Sequence, residues 1–267
     1  MVGALIFTFA AFLGLSFWYA GFVLLFWFSL SALNYRHETS LWVLKNNFRR
    51  FLHLYLFLFV LGFIGDFVIG INIANLWTYP QYDAIWKWII LYVVVYPCGG
   101  LSLIEMIFFF ANLFKEKFVF THGKEKVDSL LNLSDHILDG LMVIFIVLTL
   151  GSALIGLRFP FEHPILIGLF LWMILATIRF MYHIKHAWHW LAIIIGTVCM
   201  SIFLHEIPNL AVLEWKYFDG PFLNTPLILG IQPWVFVGWY FMALLMLRVW
   251  IRIVWVPRHT KGIQISS

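Results

Sequence analysis

Three acidic residues stand inside apolar stretches of this chain: Asp66, Glu105 and Glu206, the last preceded by His205. Ionisable side chains in such runs are costly to bury and mark places where chemistry is done. Glu105 falls in the largely apolar run 101–113, with no basic residue before Lys115. A carboxyl desolvated there is suited to hand a proton to an apolar substrate as a general acid; the alternative is a structural glutamate. Cys98, Ser102, Glu105 and Phe109 share one helical face by steps of three and four, which sets Ser102 and Phe109 beside any substrate. Asp66 sits in Gly62-x-x-x-Asp66-x-x-x-Gly70, on a stripe of small residues that a second helix can approach closely. It is either a base or a buried carboxyl bonded to its neighbour. Thr197, Ser201 and His205 follow one another at four-residue spacing and lead to Glu206. His205 and Glu206 read as an acid–base pair, or as ordinary interfacial residues.

Each outer acidic position is followed by the same aromatic pattern. Trp77-Thr78-Tyr79 comes after Asp66, and Trp215-Lys216-Tyr217 comes after His205-Glu206. A proline-bearing apolar span then follows in both cases, with Pro97 in the first and Pro233 in the second. Trp77, Tyr79, Trp215, Tyr217, Gln232 and Trp239 complete the expected lining of a site. Trp and Tyr are also enriched at membrane interfaces, so anchoring is the plainer role for Trp77 and Trp215.

Other chemistries find less support. His183, His186 and His189 recur at three-residue steps, but a di-iron membrane oxygenase needs several such boxes, and no metal is expected. No pair of histidines deep in two spans suggests haem, and no cofactor is expected. A retinal Schiff base needs a lysine in the last span, and residues 226–250 contain none. Cys98 and Cys199 lie in apolar spans with no zinc spacing and read as small buried residues.

The elements that must position these groups are membrane helices. The chain is 63% hydrophobic and 11% charged, with mean hydropathy +0.93, and apolar stretches of about 20 residues recur along it. The expected spans are about 5–33, 52–76, 84–114, 136–157, 164–183, 187–205 and 226–250. The first is either tilted or broken near Gly14 and Gly21. The segment Pro97-Cys98-Gly99-Gly100 is expected to kink or interrupt the third. On this plan 14 of the 17 basic residues fall on one side, with Lys87, Arg158 and Lys216 on the other. The positive-inside rule then sets the N-terminus out and the C-terminus in. The net charge of +4 is an orientation signal rather than a nucleic-acid footprint. No cleaved signal peptide is expected, since the apolar stretch before Arg36 is too long. The fold class is therefore all-α and integral to the membrane, with two parallel three-helix repeats. The first repeat is 1–114, an inner loop and connector helix occupy 115–157, and the second repeat with a basic tail is 158–267. Repeated membrane units place their site between the copies.

The first copy resembles the membrane lycopene cyclases, whose repeated three-span domain carries an Asp, a Trp-x-Tyr, then Pro-Leu-Glu-Glu and a nearby Phe-Phe. Asp66, Trp77-Thr78-Tyr79 and Ser102-Leu103-Ile104-Glu105-Met106-Ile107-Phe108-Phe109 fall on that pattern. The second copy resembles the related carotenoid hydratases, with Pro233-Trp234-Val235-Phe236-Val237-Gly238-Trp239 matching a Pro, Phe, Gly and Trp. Ser102 replaces the family's Pro, Ile104 its first Glu, and Val235-Phe236 the second carboxylate pair. The resemblance implies a remote member of this superfamily, acting on an apolar isoprenoid or carotenoid in a bacterial or archaeal inner membrane. In that reading Glu105 protonates a polyene, aromatic faces hold the cation, and Asp66, or His205 with Glu206, is the base or water-holding group. Cyclisation or hydration follows. The rival is a non-catalytic carotenoid- or lipid-binding protein, or an accessory subunit of a membrane complex. A third reading is a small proton-coupled transporter.

Overall fold

The computed structural model describes residues 17–34, 39–73, 75–116, 164–218 and 227–255, with scattered positions in 6–13 and 136–151. Most of the span expected at 136–157 lies outside the described residues. The helices are α1 (Trp18–Leu33), α2 (Ser40–Asn46), α3 (Phe48–Ile73), α4 (Ile85–Leu113), α5 (Pro164–His183), α6 (Ala187–Val212) and α7 (Pro233–Val254). Two short strands, β1 (Trp77–Thr78) and β2 (Lys216–Tyr217), complete the described elements.

Four helices, α3, α4, α6 and α7, are long and apolar enough to cross a membrane, at 26, 29, 26 and 22 residues. α1 and most of α5 are shorter apolar helices. Their surfaces agree with that location. On α3, Leu52, Leu56, Val60, Ile64 and Phe67 stand exposed at three- and four-residue intervals. An apolar ribbon facing outward along a whole helix has no place in water and suits hydrocarbon. A mostly helical, membrane-compatible architecture follows. Phe17 takes a left-handed φ of 61° just before α1, so the break in the first apolar segment falls there, and Gly21 lies within the helix.

α4 is the central helix. It packs against α1, α3, α6 and α7, and α7 in turn packs on α5 and α6. Asn47 accepts from Arg50 N–H to start α3, and Thr39 accepts from Trp42 N–H to start α2, the standard use of such residues at helix N-termini. Small residues then set the spacing of α3 from its neighbours. A Cβ on Gly62 would stand 2.5 Å from the Tyr96 Cβ, and one on Gly70 would strike the Trp77 indole.

Proline does not interrupt α4. A π-helical turn, Leu91–Val95, ends two residues before Pro97, and a second, Ile202–Glu206, ends two residues before Pro208. Proline has no N–H to donate, and its ring collides with the carbonyl four residues back. Widening the preceding turn absorbs that conflict. The carbonyl concerned in α4, that of Val93, accepts the Tyr55 hydroxyl at 2.6 Å. Through the second π turn α6 runs on to Val212 rather than ending at 205. A longer π segment, Phe63–Ile73, ends α3. These three π segments carry Asp66, Tyr92, and His205 with Glu206; a fourth, Ile251–Trp255, lies at the end of α7.

Candidate functional site

Asp66 is buried and faces only donors. Trp77 Nε1 donates to its Oδ1 at 2.5 Å, Tyr79 Oη to the same oxygen at 2.9 Å, and Tyr92 Oη to Oδ2 at 2.8 Å. Tyr79 and Tyr96 share a further bond at 2.8 Å. Glu206 repeats the arrangement with its own partners. Tyr217 Oη and Trp239 Nε1 donate to Oε1 at 2.8 and 2.9 Å, and Trp215 Nε1 donates to Oε2 at 3.1 Å. Each carboxyl thus has two donors on one oxygen and one on the other. Burial first, then the adjacent carboxyl, pushes the Tyr79 and Tyr217 phenols well above their ordinary range, so both remain O–H donors.

The two Trp-x-Tyr segments that supply these donors pair with each other. β1 and β2 run antiparallel with Trp77 opposite Tyr217 and Thr78 opposite Lys216. Trp77 and Trp215 are therefore engaged in a buried polar network, a role beyond interfacial anchoring. Trp234 stacks on Trp77 and meets Tyr217 edge-on, with centroids 6.2 and 5.2 Å apart. Its Nε1 is buried with no hydrogen-bond partner among the described residues.

His205 and Glu206 part company. The His205 Nδ1 lies 2.6 Å from Tyr19 Oη, and its ring sits among Phe22, Phe26 and Trp239. Thr197 bonds the Ile193 carbonyl at 2.9 Å, and among the described residues Ser201 reaches the Met106 sulfur. Gln232 opens α7 without a side-chain cap and is not among the donors to either carboxyl.

Glu105 belongs to a separate centre. Its Oε1 accepts from Ser31 Oγ at 2.9 Å and from Ser40 N and Oγ at 2.7 and 2.5 Å; its Oε2 accepts from Asn34 Nδ2 at 3.2 Å. The same Asn34 amide donates to the Glu105 carbonyl at 2.7 Å. The carboxyl ties α1 and the start of α2 to α4. It lies nine residues past Tyr96, roughly 13 Å along the helix axis, and the structure does not bring it to Asp66. Ser102 Oγ bonds back to the Gly99 carbonyl at 2.8 Å, and Phe109 packs edge-on against Phe110.

Several partners had no sequence signal. Tyr19, Tyr92 and Tyr96 are three phenols in a chain of 29 Phe, 14 Trp and 10 Tyr. Glu214, fully buried, receives Tyr82 Oη at 2.8 Å and Tyr19 N at 3.4 Å; its place next to Trp215 was the one available hint. Burial raises the Glu214 carboxyl above its ordinary value of 4.5, opposed by the Tyr82 bond. The folded chain thus holds this proton more tightly than the unfolded chain. Stability from this group is full below about pH 4.5 and declines as pH rises through the folded value. Glu214→Gln keeps an acceptor oxygen without ionising. Its thermal midpoint should rise relative to the parent as pH increases from about 4 to 8, and parallel curves would reject the assignment.

Set against models of known protein families, curated proteins and solved structures, the chain matches none of them.

Proposed function

We propose that this chain is an integral membrane protein, of a bacterial or archaeal inner membrane, that binds an apolar isoprenoid or carotenoid polyene and performs acid–base cyclisation or hydration on it. One observation carries the reading. An apolar groove of about 560 Å³ runs between α3 and α4, lined by Phe59, Phe63, Phe67, Trp88 and Tyr92 among others. The groove is open to the outside, with Phe63, Phe67, Ile89 and Val93 on its walls exposed. The Tyr92 ring lines this groove while its hydroxyl bonds Asp66, so an apolar slot and a buried carboxyl meet at one side chain.

The chemistry follows from these parts. In its protonated form Asp66 hands its proton to the Tyr92 oxygen as the Tyr92 hydroxyl turns and gives its own proton to a polyene double bond, leaving Asp66 as the carboxylate. The aromatic walls hold the resulting cation. Return of a proton to the same pair from a neighbouring carbon gives a cyclic isomer, and addition of water with loss of a proton gives an alcohol. Glu206 and its three donors form a second unit of the same kind. Glu105, enclosed by Ser31, Asn34 and Ser40, serves as an anchor of the fold in this scheme. The rival reading, a carotenoid- or lipid-binding or accessory subunit, draws support from the donors that occupy both oxygens of Asp66, Glu105 and Glu206.

Expression in a lycopene-accumulating bacterial host, with extracts resolved by liquid chromatography and mass spectrometry, separates the two. A product isomeric with lycopene, or heavier by one water, that disappears with Asp66→Asn supports catalysis. Pigment that co-purifies unchanged with the protein supports binding alone. Unchanged lycopene with no pigment bound removes lycopene from both readings.

A further inference from the structure

At the far end of α4 from the groove, a second group of side chains comes together. α4 stops in a turn where Lys115 takes a left-handed φ of 56°, Lys115 N–H bonds the Asn112 carbonyl and Glu116 N–H bonds the Ala111 carbonyl. This termination is the Schellman pattern, and it fixes the backbone of Glu116. Facing it is the reverse turn between α5 and α6. Buried Ile184 anchors that turn, and His186 sits at φ 56° just before Ala187. His186 and His189 are three residues apart across the first turn of α6 and so share a face.

Glu116 joins both imidazoles. Its Oε2 lies 3.1 Å from His186 Nδ1 and its Oε1 2.6 Å from His189 Nδ1, and the ligand atoms of the three side chains all fall within 4.8 Å of one another. Glu116 is 13% exposed, while the histidines are 54% and 68% exposed. We propose that Glu116, His186 and His189 form a divalent metal site, with Zn²⁺ as the ion it takes.

Two imidazole nitrogens and one carboxylate oxygen are the ligand set of an open zinc site. One carboxylate balances half the ion's charge, and mixed nitrogen and oxygen donors suit borderline first-row ions over Mg²⁺ or Ca²⁺. The exposure of the two rings leaves a fourth position for water. Zinc–ligand bonds of about 2.0–2.2 Å put neighbouring donor atoms somewhat over 3 Å apart. Glu116 stands 3.1 and 2.6 Å from the two imidazole nitrogens and all three ligand atoms lie within 4.8 Å of one another, so side-chain rotations suffice to gather them on one ion. The ion would clamp the end of α4 to the α5–α6 turn, which lie 70 residues apart in sequence. It would do so independently of any ligand in the groove.

The test uses the full-length chain in detergent, with its affinity tag removed and trace metal stripped. Zn²⁺ is titrated in competition with a chromogenic chelator, and Co²⁺ is added in parallel to read its visible absorption. One equivalent of Zn²⁺ is expected, with a cobalt spectrum of four-coordinate type. His186→Asn and His189→Asn should each weaken binding at least tenfold, and His53→Asn, on the exposed side of α3, should leave it unchanged. Both target rings are largely exposed, so the folded state survives their replacement; a single symmetric peak on gel filtration checks this. Absence of stoichiometric binding, or equal binding by the two variants and the parent, overturns the proposal.

Discussion

Replacing Glu105 by leucine is expected to cost about 2–6 kcal/mol of stability, because at least two buried donors lose their only strong acceptor at about 1–3 kcal/mol each. Ser31, Ser40 and Asn34 are all buried, so water is not at hand to take over. Leucine fills the volume but accepts nothing from Ser40 N–H or from either hydroxyl. Ser31 and Ser40 can still bond one another, across 3.3 Å, and Trp27 Nε1 keeps its bond to Ser40, which sets the upper limit. Glu105→Gln keeps one acceptor oxygen and should lose less, about 1–2 kcal/mol. Against a typical total of about 5–15 kcal/mol, the leucine variant should unfold at markedly lower temperature in detergent, as followed by circular dichroism. A leucine variant as stable as the parent would remove Glu105 from the anchoring role and return it to the position of candidate acid.

The amide replacements at Asp66 and Glu206 should behave differently from each other, for a reason that lies in their donors. At Asp66 the oxygen with one partner faces the Tyr92 hydroxyl, and a hydroxyl can turn to accept. In Asp66→Asn the new amide fits with its oxygen toward Trp77 and Tyr79 and its NH2 toward Tyr92, at little cost in stability. At Glu206 both oxygens face an indole N–H, Trp239 on one and Trp215 on the other. An indole only donates, so either orientation of a glutamine amide sets NH2 against N–H and leaves a buried donor unpaired. Glu206→Gln should therefore cost about 1–3 kcal/mol, while Asp66→Asn melts near the parent. If the proposed chemistry holds, Asp66→Asn nonetheless loses about 10²–10⁴ in turnover, the usual worth of a positioned proton-transfer group. Comparable melting of the two variants would refute this account of the networks; full turnover by Asp66→Asn would refute the chemistry.

Much of the frame was legible from composition and periodicity. Four of the expected spans contain long apolar helices, although α6 runs seven residues past 205 and α7 begins seven residues after 226; α5 has the bounds expected at 164–183 but only its stretch Gly168–Tyr182 is a shorter apolar helix. Asp66 and Glu206 stood out because a charge in an apolar run is costly, and each preceded a Trp-x-Tyr. What those aromatics contact was not legible. Their pairing joins Trp77 to Tyr217, 140 positions apart, and local pattern carries no information about that distance. Glu105 was legible as a buried acid, but its partners lie 65 to 74 residues away and are ordinary polar residues in sequence. Pro97 argued for a broken helix because the usual rule weighs the lost N–H; the π turn that compensates for it has no residue signature of its own. Glu116 carries no sequence signal of its own, because the histidines that face it are about 70 residues away.

The antiparallel register of β1 and β2 has a consequence for assembly. With Thr78 opposite Lys216, Trp77 faces Tyr217 and, by continuation of the same register, Tyr79 faces Trp215. A local two-fold axis through the Thr78–Lys216 pair carries Trp onto Trp and Tyr onto Tyr. The joint is isologous, of the kind that holds symmetric homodimers together. Such a ladder makes no distinction between a partner strand in the same polypeptide and one in a second molecule. A half-length chain bearing a single Trp-x-Tyr already presents both sides of the seam, so covalent linkage of two halves would require no new contact where they meet.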